Sequence, residues 1–106
     1  MAKEKINKDS KEIIKVTREL TVAASERAAA NVPQVYSVKN VKADINGNKA
    51  KIDVYIIVNF GCKIPDVAYN VQNAVKSVVE SAAEIKVDKV NIHIQGVKII
   101  KEGKDE

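Results

Sequence analysis

Between Val41 and Val58 two alternating runs flank Asn46-Gly47-Asn48, and this segment constrains the fold more than any other. Val41, Ala43 and Ile45 alternate with Lys42 and Asp44. After the turn, Ala50, Ile52, Val54, Ile56 and Val58 alternate with Lys51, Asp53, Tyr55 and Ile57. A period of two puts one set of side chains on one face of a strand, and Asn-Gly readily takes the left-handed conformations of a tight hairpin turn. The segment therefore predicts an antiparallel hairpin with one buried face. A slip of one residue would exchange the two faces. Upstream, Val35, Tyr36 and Val38 either extend the first strand or form a separate short element.

Downstream, Asn59 and Gly61 end the second strand, and Pro65 suits the first position of a helix, where its missing N–H costs nothing. Asp66 complements the positive end of that helix's dipole. Val67, Val71, Ala74, Val75, Val78 and Ala82 form its apolar stripe, opposed by Asn70, Asn73, Lys76, Ser77 and Glu80. A last strand follows from about Val87 to Gln95, with Val90, Ile92 and Ile94 inward; Gly96 interrupts it and Val97 to Ile100 can continue it.

Ahead of the hairpin lies another helix. Asp9 followed by Glu12 has the form of a capping box, with Ser10 as an alternative cap, and Asn31 with Pro33 stops the helix after Ala30. Ile13, Ile14, Thr17, Leu20, Ala24 and Ala28 recur at helical spacing as its apolar face, and the Ala-rich second half permits close approach of another backbone. The order is helix, strand, strand, helix, strand. A strand-helix-strand unit makes the last two strands parallel. The expectation is thus an α+β, two-layer α-β-β-α-β fold, two helices packed on one face of a three-stranded mixed sheet. The second strand, the most continuously apolar, is placed at the centre.

Residues 1–8 are charged and lack periodicity, so they are expected to form a disordered basic arm; residues 9–100 form the single domain, and 101–106 a charged tail. At 106 residues, 45% apolar, one core fits and a second does not. One cysteine, Cys62, and one histidine, His93, exclude an intramolecular disulfide and a multi-cysteine zinc site, and a reducing cytoplasm suits the chain. Cys62 lies beside Lys63 before the second helix, but it has no base nearby in sequence. No catalytic, cofactor-binding or metal-ligating residue is assigned, and no cofactor is expected. The net charge of +4 comes from interspersed Lys, with Arg18 and Arg27 the only arginines. Such scattered lysines act as a solvated surface rather than a phosphate-reading patch, so nucleic acid is not the expected partner. The alternative, a small KH-like nucleic-acid-binding module, would need a Gly-x-x-Gly loop, and the four glycines are isolated. No stretch approaches the roughly 18 apolar residues of a spanning helix, so no direct membrane insertion is expected.

The segment from Tyr55 to Val97 resembles the alkaline shock protein family, small general-stress proteins found mainly in Gram-positive bacteria. Tyr55-Ile56-Ile57-Val58, Gly61, Ile64-Pro65, Val67-Ala68, Val71-Gln72, Val75 and Val78 carry the match, as do Val90-Asn91-Ile92, Ile94 and Gln95-Gly96-Val97. The Gly-x-x-Ile-Pro approach to the helix and the closing Asn-Ile-x-Ile-Gln-Gly-Val run are its distinctive parts. The resemblance implies a non-enzymatic cytoplasmic protein of cell-envelope stress homeostasis. It implies a homo-oligomer, held near the membrane in some members by a separate membrane-anchored protein partner. It supplies no catalytic residues.

The residues point to where contacts would form. A sheet covered by helices on one side usually shows polar residues on the other, yet Tyr55 and Ile57 are successive outward positions on the central strand. With His93 and Gln95 from the last strand, they are the candidate interaction surface.

Overall fold

The computed structural model describes the backbone of residues 2–99 and the side chains from Lys15 onward. The expected tail at 101–106 lies outside the described residues. The elements are α1 (Ala2–Ala30), β1 (Val35–Asn46), β2 (Lys49–Asn59), α2 (Ile64–Ala82) and β3 (Lys86–Lys98). The three strands form one mixed sheet in the order β1-β2-β3, with β2 central. β1 is antiparallel to β2, and β3 is parallel to it. This is the α+β, two-layer arrangement the sequence predicts.

β2 sets the floor of the core. Ala50, Ile52, Val54, Ile56 and Val58 are all fully buried, while Lys51 is exposed and Asp53, Tyr55 and Ile57 are half-buried. The alternation therefore holds over the whole strand, with even positions under the helices. The hairpin closes at Asn46–Lys49, where Gly47 takes the positive φ of +65° that the turn requires. β1 begins at Val35, so the upstream residues extend the first strand. They do so through two register shifts, between Val35 and Ser37 and between Val38 and Asn40.

In α2 the buried residues are Val67, Val71, Val75 and Val79. Val78, expected in that stripe, is 39% exposed. The stripe follows a run of four-residue steps, so Val79, rather than its neighbour, faces the sheet. α2 starts at Ile64 with Pro65 in its first turn and Asp66 beside it, and Lys63 at the cap makes no side-chain capping bond.

α1 departs further from expectation. It is helical from Ala2, so the Asp9–Glu12 pair lies within it, and residues 2–8 are helix rather than a disordered arm. Ala, Lys and Glu in that stretch are strong helix formers with no Pro or Gly among them. The buried face of α1 is Thr21, Ala24, Ser25, Ala28 and Ala29, continued by Val32 after the helix ends. Leu20, expected on that face, is 42% exposed, as is the neighbouring Val16 at 57%. Small side chains let α1 approach closely, and a Leu at the contact would hold it off. The turn after α1 is fixed by Gln34, a non-glycine residue at φ +75°. Its carbonyl accepts the Asn59 N–H at 2.9 Å and its side-chain oxygen accepts Asn59 Nδ2 at 3.2 Å. These bonds tie the start of β1 to the end of β2.

Candidate functional site

The uncovered face of the sheet is built from the odd-numbered residues of β2 and their register partners. Asp53 pairs with Lys42 of β1 and Asn91 of β3; Tyr55 pairs with Asn40 and His93; Ile57 pairs with Ser37 and Gly96. Partners in register share a face, so the face holds a polar row beside an aromatic one.

Asp53 is the hub of the polar row. Its Oδ1 accepts a hydrogen bond from Asn91 Nδ2 at 3.1 Å and lies 3.0 Å from His93 Nε2. These bonds, that with His93 first and that with Asn91 second, hold the Asp53 carboxyl below the usual carboxylate range, against a smaller opposing effect of desolvation. The His93 imidazole, so oriented, lies on the Tyr55 ring with centroids 4.3 Å apart and planes 12° from parallel. From the other neighbouring strand, β1, Lys42 Nζ sits 5.6 Å from the Tyr55 centroid. Each flanking strand thus contributes a side chain that restrains Tyr55, His93 from β3 and Lys42 from β1. At the far end of the face, Lys98 of β3 reaches the Tyr36 ring of β1 at 5.6 Å.

Of the four residues picked from sequence, the structure brings three onto one continuous patch. Tyr55 and His93 stack directly, and Ile57 follows Tyr55 along β2. Gln95 departs from its expected place. The register of β3 shifts between Ile94 and Gly96, so Gly96 stands beside Ile57 and Gln95 is the residue left unpaired. A Cβ on Gly96 would come within 3.9 Å of Ile57 Cγ1, so the missing side chain leaves that flank of Ile57 open. Sequence reasoning placed Asp53, Asn91 and Lys51 on this face without giving Asp53 a part, and it did not single out Lys42. The signal was present in the alternation, but the bonds needed the register between strands.

The chain's nucleophile and its imidazole lie on opposite sides of the sheet. Cys62 is half-buried against the core on the helix side, whereas His93 is on the open face with Asp53 and Tyr55. Among the described residues no three His, Cys, Asp or Glu side chains converge as a metal site. A shallow hollow of about 300 Å³ between α2 and β3 is lined by Gln72, Asn73, Lys76, Asp88 and Lys89 with Val87 and Val90, and it lies away from His93 and Tyr55. No helix among the described residues is long and apolar enough to cross a membrane.

Comparison with known proteins adds family and fold. The chain is 44% identical over 61 residues to the uncharacterised protein YloU of Bacillus subtilis, covering 58% of this chain and 51% of that protein. It is 33% identical over 86 residues to the uncharacterised protein Spy1535 of Streptococcus pyogenes, covering 66% of this chain and 67% of that one. The chain thus spans from about half to two-thirds of these relatives' lengths. Among solved structures, MamM CTD superimposes with a TM-score of 0.51 at 19% identity, over 78% of this chain and 98% of that one, a likeness of fold alone. Residues 6–99 match a family described by a cell envelope-related function, the one that the Tyr55 to Val97 motifs resemble. The chain belongs to the alkaline shock protein 23 family.

Proposed function

We propose that this chain is a non-enzymatic interaction protein of cell-envelope stress homeostasis. It works in the cytoplasm by self-association and by binding a membrane-anchored protein partner, with the open face of the sheet as its contact surface. The observation that carries this reading is the restrained patch at the centre of that face: Tyr55 is held between His93 and Lys42, with half-buried Ile57 beside it. An aromatic and aliphatic centre rimmed by charged groups is the composition of a protein contact, and its restraint lowers the entropy lost on binding. The separation of Cys62 from His93 supports a function without a covalent step.

The test is the double substitution Tyr55→Ser with Ile57→Lys. Neither side chain belongs to the core, so the melting temperature should change little while light scattering shows a shift to a smaller species. Cells carrying the variant in place of the native copy should lose tolerance to envelope stress. An unchanged oligomer and unchanged tolerance would refute the reading. Sequence-selective RNA binding that persists at physiological salt would replace it with a nucleic-acid function.

A further inference from the structure

Two side chains of α2 close the free edge of β3 over its first half. Glu80 Oε2 accepts the Val87 N–H at 3.0 Å, and Gln72 Nε2 donates to the Val90 carbonyl at 3.0 Å. The Val90 carbonyl therefore points away from β2, and strand alternation gives the same outward direction to the N–H and C=O of Ile92 and Ile94. Past the register shift at Gln95, the Lys98 carbonyl accepts the Phe60 N–H at 2.8 Å and so faces β2. The outward groups there belong to Val97 and Ile99. The two capping bonds from α2 end at Val90, and among the described residues no side chain bonds the edge beyond it.

The side chains of this open half are aliphatic on the helix side. Ile92, Ile94 and Val97 are register partners of the fully buried Val54, Ile56 and Val58. Yet Val97 is 48% exposed, and Ile99, two residues on, is 59% exposed. From Val90 to Ile99 the only Lys, Arg, Asp or Glu is Lys98.

We propose that the second half of β3, from Ile92 to Ile99, is the edge at which a second copy of this chain adds in antiparallel orientation, joining two three-stranded sheets into one of six strands. The segment is complementary to itself. A two-fold axis between Gln95 and Gly96 sets Ile92 of one copy opposite Ile99 of the other and Ile94 opposite Val97, so every outward-facing residue meets another. All four side chains lie on the helix side, and these pairs continue the core layer across the junction while covering Val97 and Ile99. Lys98 then opposes His93. A parallel, in-register pairing would instead stack Lys98 on Lys98 and would not close with two-fold symmetry. The inference rests on the reading that the chain self-associates and adds a second contact, at the sheet edge, to the one on the open face. An edge this short buries an area toward or below the low end of about 1,200 Å² for specific interfaces, so the expected dimer is a weak one.

The full-length chain is measured by light scattering and by amide hydrogen exchange across a concentration series. The Ile92, Ile94 and Val97 amides should gain at least tenfold protection as the dimer forms. Val97→Pro removes an outward donor and no bond to β2, so it should abolish the edge contact, read as a smaller species with native circular dichroism. Val97→Lys, which places a charge on the edge, should weaken the dimer at least tenfold and serves should the proline variant fail to fold. A dimer that survives both substitutions, or protection independent of concentration, overturns the edge. If that surviving dimer is lost in Tyr55→Ser with Ile57→Lys, the open-face reading stands and only the edge falls. A native chain that stays monomeric throughout removes self-association and the edge together.

Discussion

Ile56 and Ile57 are chemically identical neighbours on β2, and the fold assigns them to opposite fates. Ile56 is fully buried between Val38 and Ile94, while Ile57 is half-buried on the open face beside Ser37 and Gly96. Ile56→Ala deletes three buried carbons, worth about 0.8 kcal/mol each, so about 2.4 kcal/mol of transfer free energy is lost. The cavity left between helices and sheet raises the expected cost to about 3–4 kcal/mol. A domain of this size holds only about 5–15 kcal/mol, so the change should lower the urea midpoint by about a fifth or more. Ile57→Ala opens no closed cavity, because Gly96 leaves one flank already uncovered. Its cost should stay below about 1 kcal/mol. Urea titrations followed by far-ultraviolet circular dichroism serve as the assay, since the chain has no Trp. They are run dilute enough to hold every variant as a monomer. If Ile57→Ala costs as much as Ile56→Ala, or Ile56→Ala costs under about 1 kcal/mol, the assignment of faces is refuted.

Two further outcomes are expected. The carboxyl of Asp53 is lowered in the fold chiefly by its bond with His93 and next by that with Asn91. Its contribution is therefore fully present above the unfolded-state pKa of about 4 and is lost as pH falls through the depressed folded value. Asp53→Asn should thus be less stable than the native chain at pH 7 and should lose less stability below about pH 4; equal slopes in acid would show that Asp53 contributes no linkage. Glu84 follows α2 at φ +53°, the left-handed position where glycine is preferred. Glu84→Gly should stabilise by about 0.5–1 kcal/mol once the added unfolded-state entropy is counted, raising Tm by a few degrees, and a lower Tm would contradict this account.

The sequence alone determined the hairpin, the central place of β2, the start of α2 at Ile64-Pro65 and the two faces of the sheet. Each of these follows from a local rule: period-two alternation, Asn-Gly at a turn, proline in a first helical turn. Tertiary structure decided what depends on a partner distant in sequence. The buried face of α1 runs through Thr21 and Ser25 instead of Leu20, because the separation available beneath the helix selects small side chains over hydrophobic ones. Val79 rather than Val78 faces the sheet because packing selects the four-residue run Val67, Val71, Val75 and Val79, a choice between adjacent valines that helical periodicity alone leaves open. On the open face, alternation put Tyr55, Ile57, Asp53 and His93 on the same side. Only the register of β3 against β2 set His93 on Tyr55 and within reach of Asp53, and only the shift at Gln95 moved that residue aside and left Gly96 beside Ile57. Alternation is a property of one strand, which a sequence displays directly. Register is set by a second strand more than thirty residues away, and the energies of its turns, bulges and cross-strand pairs are resolved only when the sheet assembles.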